Sequence, residues 1–370
     1  MTIRLGFVGL SSQGWASQML APSLLQAPLN SAYTLAAVST SNANSAAASA
    51  EEYSELTRHS VKPYHGSTAG IAADPELDFI AVAVKTPEHK TAVLPIIEAG
   101  KNFFIEWPAG KSLQETTEIA DAARKKGLKT MVGTQCRQSR AIQKIKSIVE
   151  SGDIGRVLST TFVGRAPNPP LHVWGPKISE RGTFTADAEQ GTTLLDVIGG
   201  HFLEGFTHAL GPFTSVSATL AVQYPTAELV DAAGNPTGKI IPQTGANQIA
   251  FTGTLANGAV ASVHWRGGVS ADGGKAGSPL LWVIDGEIGS IRIESDEPAG
   301  AYIHIYEPDL YLNGEKVELP QEGLTNPGRA WAEFAKGDTG NFPTLEDAVK
   351  LKQLLEAIKT SSRDGKRVDL

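Results

Sequence analysis

Apolar and polar positions follow two different rhythms along the chain. In the first part, short apolar runs at Ile3 to Val8, Tyr33 to Val38, Phe79 to Val84, Asn102 to Ile105 and Lys129 to Gly133 read as strands. Between them lie stretches of helical period: Trp15 to Leu25, an alanine-rich segment through Tyr53 and Leu56, about Glu88 to Ala99, and Leu113 to Lys126. This alternation predicts a parallel sheet covered by helices on both faces. From about residue 155 the period becomes two. "VLSTTFVGRA", "FTSVSATLAV", "NQIAFTGTL", "AVASVHWRGG", "LLWVIDGEIGSIRIE" and "AYIHIYEP" alternate apolar and polar residues, with turns such as "AGNPTG" and "LANGA" between them. A mostly antiparallel sheet is the natural solution. Thr344 to Ser362 reads as a closing amphipathic helix with Leu345, Ala348, Leu351, Leu354, Leu355 and Ile358 on one face.

The expected architecture is therefore α/β in two domains. Residues 1–135 form a doubly wound parallel-sheet domain, and 136–370 an α+β domain with an open, mostly antiparallel sheet and the closing helix. A chain of 370 residues with 41% hydrophobic content buries enough for two such cores. A net charge of −7 without a basic block argues against direct nucleic-acid binding. With no room for a signal peptide before the first strand and no apolar stretch near the roughly 20 residues of a membrane span, a soluble cytoplasmic protein is expected. One cysteine, Cys136, excludes an internal disulfide and a multi-cysteine metal site, and it reads as a small buried residue. His59, His65, His208 and His304 lack metal-ligand spacing, so no metal is expected.

Candidate chemistry begins in "GFVGLSSQGW". Gly9 and Gly14 hold the first and third places of a G-x-G-x-x-G pattern directly between a strand and a helix, with Ser11 in the middle place. This reads as the glycine turn of a Rossmann-type fold, the alternative being a tight strand-to-helix turn that holds no ligand. Backbone N–H groups at the helix start would hold a pyrophosphate, with Ser11, Ser12 and Trp15 beside it. The second strand ends in Ser39, Thr40 and Ser41, where NAD-preferring folds usually offer an acid to the ribose. Neutral donors there leave both NAD and NADP open.

"VKTPEH" and "FFIEWPAGKS" stand at later strand ends, and "GTTLLDVIGGH" follows in the second domain. In this order, and through the closing "FPTLEDAVKLKQLLEAIKTSSRDGKRV", the chain resembles the glucose-fructose oxidoreductase / inositol dehydrogenase / MocA family over nearly its whole length. The resemblance implies an NAD(P)-dependent sugar or polyol oxidoreductase. It implies that Thr86, Pro87, His89 and Glu106 are cofactor-side positions, that His201 is the acid/base, and that the sheets pair face to face in a homodimer. Two departures stand out. Trp107 occupies the place of the family's catalytic lysine, and indole exchanges no proton near neutral pH. The family's aspartate falls on Val197, with Asp196 displaced by one residue. In a regular helix Asp196 would not share a face with His201.

Gly14-Trp15, "EWP", "GTQCRQS" and "GTLANGAVASVHWRGG" are similar to the branch that contains the fungal galactose-regulon repressor. That branch implies a second reading: a non-catalytic, dinucleotide-binding co-regulator with a peptide partner, present in the nucleus. For the enzyme, Lys85 in "VKTP" is a candidate substitute for the missing lysine if partly buried, the alternatives being a solvated lysine or one paired with Glu106 or a phosphate. The proline-rich "GRAPNPPLHVWGPKISERGTF" suits a substrate rim carrying Arg165, His172, Trp174 and Lys177. The expectation is thus hydride transfer between nicotinamide and a CH–OH carbon, with His201 managing the hydroxyl proton, Lys85 assisting and Asp196 ranked behind.

Overall fold

The computed structural model describes residues 2–12, 14–168, 172–269, 277–320 and 322–370. Gln13 of the glycine turn and Pro169 to Leu171 of the proline-rich stretch lie outside the described residues. In chain order the elements are β1 (Ile3–Val8), α1 (Ala21–Leu24), β2 (Tyr33–Thr40), α2 (Ala43–Thr57), β3 (Lys62–His65), α3 (Ala69–Ala72), β4 (Phe79–Val82), α4 (His89–Glu98), β5 (Asn102–Ile105), α5 (Leu113–Lys125) and β6 (Thr130–Val132). Then follow α6 (Arg140–Ser151), β7 (Val157–Pro167), β8 (Lys177–Ser179), α7 (Gly200–Leu210), β9 (Phe213–Ala221), β10 (Thr226–Val230), β11 (Pro236–Pro242), β12 (Gln248–Leu255) and β13 (Val260–Val269). The chain ends with β14 (Leu280–Gly286), β15 (Ser290–Ser295), β16 (Asp309–Leu312), β17 (Glu315–Val317), α8 (Asn326–Ala335), α9 (Leu345–Asp364) and β18 (Val368–Asp369).

Two compact units emerge: residues 1–134 with 323–349, and residues 135–322 with 350–370. In the first, six parallel strands run in the order β3-β2-β1-β4-β5-β6, the doubly wound order whose direction reverses between β1 and β4. Its apolar runs are buried on both faces, as a parallel sheet requires. Asn42 and Ser112 cap α2 and α5 by accepting from Ser45 N (2.9 Å) and Glu115 N (3.1 Å). Residues 323–349 have no counterpart in the sequence reading of this domain. They return here because α8 brings Ala330, Trp331 and Phe334 into the core formed by Leu5, Phe7, Tyr33 and Phe79. Trp331 stacks edge-on to Tyr33 at 5.8 Å, and the Tyr33 hydroxyl donates to the Trp331 carbonyl at 2.8 Å.

The second unit is built on a nine-stranded sheet, β17-β16-β15-β14-β7-β13-β12-β9-β18, in which only the central β7–β13 pair is parallel. One face carries Phe162, Trp265 and Trp282, and α7 packs on it through Phe202 and Phe206. A separate three-stranded sheet, β11-β10-β8, encloses a small core of Ile178, Ala186, Ala227 and Leu229. The expected strand "AYIHIYEP" does not form. Its alternation is real, but the segment folds as successive turns, with Ile305 N and Tyr306 N both donating to Tyr302 O at 2.8 and 2.9 Å. Among the described residues no helix is long and apolar enough to cross a membrane.

Candidate functional site

In the first unit the candidate residues gather at the strand ends. Gly9 sits at φ +90°, and its N–H donates to Ser39 O at 2.8 Å. A β-carbon there would lie 2.3 Å from the Ala83 carbonyl oxygen, so this position accepts only glycine. Gly14 is less constrained: an added β-carbon would meet Ser11 Oγ at 3.1 Å. The turn closes on itself through Ser11 N to Gly9 O (3.0 Å) and Gly14 N to Ser11 O (3.1 Å). Ser11 therefore fits the middle place without distortion, half-exposed beside an exposed Ser12. Beyond it, Ala16–Leu20 winds as a π-helical turn before α1. Ser39 and Thr40 are buried at the end of β2 and Ser41 is exposed.

Glu106, buried at the end of β5, has both oxygens in use. Oε1 accepts from Trp107 N at 3.0 Å and Oε2 from the Trp15 indole at 3.3 Å. Gly133 makes room for this carboxylate, because a β-carbon there would fall 2.2 Å from Oε1. Trp15 is 41% exposed, an indole laid open beside the glycine turn. Thr86 and the His89 ring are buried, Pro87 is half-buried, and the two His89 nitrogens lie 2.8 Å from Pro108 O and 3.0 Å from Val84 O. That ring ties the β4 end to the loop after β5. Trp107 is buried and begins the cis Trp107–Pro108 peptide. Lys85 is exposed rather than partly buried: it follows the last buried residues of β4 and starts the Thr86–Glu88 turn.

In the second unit, His201 lies on the first turn of α7 and is 4% exposed. Its ring stacks on His304 with centroids 4.1 Å apart and an 8° interplanar angle. Tyr302 lies beside His304 at 5.8 Å. Burial pushes His201 down to about 3 and holds His304 well below its ordinary range, with His201 contributing second. Burial also raises the Tyr302 phenol. Among the described residues, His201 Nδ1 and the Tyr302 hydroxyl are buried without a hydrogen-bond partner. Acid/base exchange at a near-neutral pKa, expected of His201, is therefore not what this environment provides. It holds a neutral ring.

Asp196 is fully buried on the π-helical turn Leu195–Gly199 that leads into α7. That turn, closed by Gly199 N to Leu194 O at 3.0 Å, replaces the regular helix assumed from the spacing. The carboxylate turns to α9, accepting from Lys359 Nζ at 2.7 Å, with Lys352 Nζ at 3.8 Å and Thr193 Oγ1 at 2.6 Å. Burial pushes the Asp196 carboxyl up, but the two lysines and Thr193 outweigh it and hold it below its usual value. Burial brings Lys352 down to about 8. Asp196 thus serves a buried ion cluster rather than His201. The signal for the lysines was present: positions 345, 348, 352, 355 and 359 form one a/d stripe, and two of its five residues are Lys.

The rim residues separate. Arg165 pairs in register with Arg266 and so lies on the sheet face opposite Gly164, Trp265 and α7. It does not join His201. Trp174 is only 7% exposed and spends its indole N–H on Thr192 O at 2.9 Å, which leaves little ring for stacking. Lys177, half-exposed, opens β8 opposite Glu228. Cys136 is buried as expected, its thiol raised by burial, with Gly205 against it.

Residues 3–134 match the model of the oxidoreductase family with an NAD-binding Rossmann fold (Gfo/Idh/MocA), and residues 141–295 that of the Gal80p C-terminal domain. The dehydrogenase aclE of Aspergillus oryzae is 30% identical over 98% of this chain and 97% of its own. The galactose/lactose metabolism regulatory protein GAL80 of Saccharomyces cerevisiae is 27% identical over 88% of this chain and 75% of its own. A crystal structure of a Gal80p super-repressor mutant from the same yeast superposes with a TM-score of 0.88 at 25% identity, covering 100% of this chain and 98% of that one. Levoglucosan dehydrogenase, solved with NADH and L-sorbose, shares the fold with a TM-score of 0.77 at 20% identity over 100% and 99% of the two chains.

Proposed function

Because the chain belongs to the Gfo/Idh/MocA family of NAD-binding Rossmann oxidoreductases, in the branch carrying a Gal80p-like carboxyl-terminal domain, we propose that it is an NAD(P)-dependent dehydrogenase of a sugar or polyol hydroxyl. The observation that carries this reading is the prebuilt strand-end cradle: an obligatory Gly9, open Ser11 and Ser12 hydroxyls, and a Glu106 carboxylate fixed by Trp15 and Trp107. These residues fit a dinucleotide. Ser11, Ser12, Gly14 and the following turn hold its phosphates, Ser39, Thr40 and Ser41 face a ribose, and Trp15, Thr86, Pro87 and Trp107 bound the remainder.

A nicotinamide held by these residues would supply hydride chemistry at a carbinol carbon. His201 then receives the carbinol hydroxyl. With Nδ1 buried, Nε2 is the nitrogen left for the hydroxyl, and on a neutral ring it donates or accepts according to the tautomer. Its buried ring is a better orienter of the hydroxyl than a proton store, because an acid/base works best with a pKa near the operating pH. Trp107 exchanges no proton, and Lys85 is exposed, so it lacks the partial burial on which its role as a substitute rests. Asp196 supports the turn before His201 and touches no substrate. Neutral Ser39, Thr40 and Ser41 admit NADP as well as NAD.

Full-length similarity to a dehydrogenase supports the enzyme. Similarity to GAL80, together with Trp107 in place of lysine, supports a dinucleotide-binding co-regulator with a peptide partner. The discriminating measurement is reduced-nicotinamide absorbance over a panel of aldoses and polyols with NAD and with NADP. Turnover of any member establishes the enzyme. A silent panel with tight cofactor binding overturns it in favour of the regulator.

A further inference from the structure

His201 stands on the first turn of α7 with a side chain whose ring orientation the helix does not settle. Helical backbone limits χ1, but the histidine χ2 is a broad torsion, and the ring plane turns about it unless a neighbour fixes it. A ring nitrogen is ordinarily held by a hydrogen bond to a carbonyl or carboxylate. Among the described residues Nδ1 of His201 has no such partner. What lies on the ring is the face of His304, 4.1 Å away centroid to centroid and within 8° of parallel. Burial keeps both rings uncharged near neutral pH, so the two faces meet without repulsion. His304 is itself held. Its segment joins β15 to β16 as successive turns, with Tyr302 N donating to Ala299 O at 2.9 Å and the Tyr302 ring 5.8 Å from that of His304. Three residues on, the Glu307 carboxylate accepts from Ser139 Oγ at 2.7 Å and from the backbone N–H groups of Arg140 at 2.9 Å and Ala141 at 3.2 Å. It thereby caps α6, which packs against α7.

We propose that His304 is a positioning residue: lying flat on His201, it fixes the plane of that imidazole and hence the line along which Nε2 meets the substrate hydroxyl. The assignment rests on the proposed reading of His201 as the group that receives a carbinol hydroxyl. Every part of the device belongs to one unit: His201 on α7, Tyr302, His304 and Glu307 in the connection from β15 to β16, and the start of α6 that Glu307 caps. A hydroxyl must be aligned as well as bound before hydride leaves its carbon, and a ring turning about χ2 is aligned for only part of the time. His304 acts through its flat face and exchanges no proton. An aromatic ring without nitrogens therefore serves in its place, and an aliphatic side chain does not.

The test compares His304→Phe, which keeps a flat ring, with His304→Leu, which fills the space without one. The full-length protein is read in two ways: kcat and KM separately on a sugar or polyol that it turns over, and carbon relaxation of the His201 ring in histidine-labelled protein, assigned by its loss in His201→Leu. His304→Leu should lower kcat at least about tenfold with KM within about twofold, and should loosen the His201 ring. His304→Phe should keep kcat within about threefold and the ring rigid. An unchanged His201 ring or an unchanged kcat in His304→Leu overturns the proposal, because the plane is then set elsewhere or does not matter. A His304→Phe variant as slow as His304→Leu also overturns it, since the nitrogens of His304 are then required. If His304→Leu fails to fold, His304→Phe decides by the same two readings. A panel without turnover sinks the dehydrogenase reading and leaves ring relaxation to decide whether His304 fixes the His201 plane.

Discussion

At the strand ends of the first unit, buried polar side chains meet their partners: both oxygens of Glu106 take an N–H, and both nitrogens of His89 face carbonyl oxygens. Around α7 in the second unit they do not. Among the described residues, His201 Nδ1 and the Tyr302 hydroxyl are buried and unpaired, at a cost of about 1–3 kcal/mol each. A fold tolerates such costs where a site must stay adaptable, and it satisfies its polar groups where one ligand is always the same. In these terms the proposed cofactor would sit among satisfied groups in the first unit, and the proposed reactant beside unsatisfied ones in the second. Asp196 and Glu204 are the informative exceptions, buried carboxylates compensated by Lys359 with Lys352 and by Arg137.

The sharpest way to break the contrast is to remove that compensation. Asp196→Asn leaves Lys352 and Lys359 facing a neutral amide in the interior, and urea unfolding should show a loss of about 3–5 kcal/mol. A loss below about 1 kcal/mol would mean that the lysines swing out to solvent and that the cluster holds nothing in place. On the other side of the comparison, Gly9→Ala forces a β-carbon onto Ala83 O at positive φ. It should cost about 2 kcal/mol or more and weaken NAD(P) binding at least tenfold, read by fluorescence titration. Unchanged cofactor affinity would detach the glycine turn from the dinucleotide.

A third measurement uses acid. His201 has a folded pKa near 3 against about 6.5 unfolded, so the unfolded chain binds the extra proton between these values. Stability contributed by the neutral ring is complete above about pH 6.5 and is lost as pH falls. From about pH 7.5 to pH 5 that loss is roughly 2 kcal/mol from His201 alone, and His304 adds in the same direction. His201→Leu should flatten the slope. An unaltered slope would show that the ring already reaches water. The smallest effect is expected from Trp15→Phe, which removes one indole N–H from Glu106: about 0.5–1.5 kcal/mol, seen as a few-fold change in cofactor affinity.

Much of the first unit was legible because a parallel sheet writes apolar runs and helical periods in strict alternation, and because Gly9 is required by a backbone angle. The position of Glu106 at a strand end was legible for the same reason, and its Trp15 partner was not, since nothing in a sequence says where an indole N–H points. The strand misread at "AYIHIYEP" shows the limit of a two-residue period. Ile303 and Ile305 alternate with His304, yet Pro308 and the turns around Tyr302 leave no ladder for them, and His304 meets His201 instead. Arg165 was assigned to the rim by its neighbourhood in the chain. Its face was set by register with Arg266, which only pairing reveals. The lysines facing Asp196 were readable in the a/d stripe of α9 but not their partner, 163 residues from Lys359.

The return of residues 323–349 to the first unit has a consequence for how the molecule is made. A nascent chain leaves the ribosome at roughly 5–20 residues per second, so some 10–40 s separate the emergence of β6 from that of Trp331. Throughout that interval the nascent parallel sheet lacks the indole that closes it, and Tyr33, Phe79 and Phe104 lack the ring they pack against. The first unit begins before the second in the chain and is finished only when residues 323–349 emerge. Expressed alone as residues 1–134 it would be a shell without its plug, its apolar surface unfinished for want of residues 323–349.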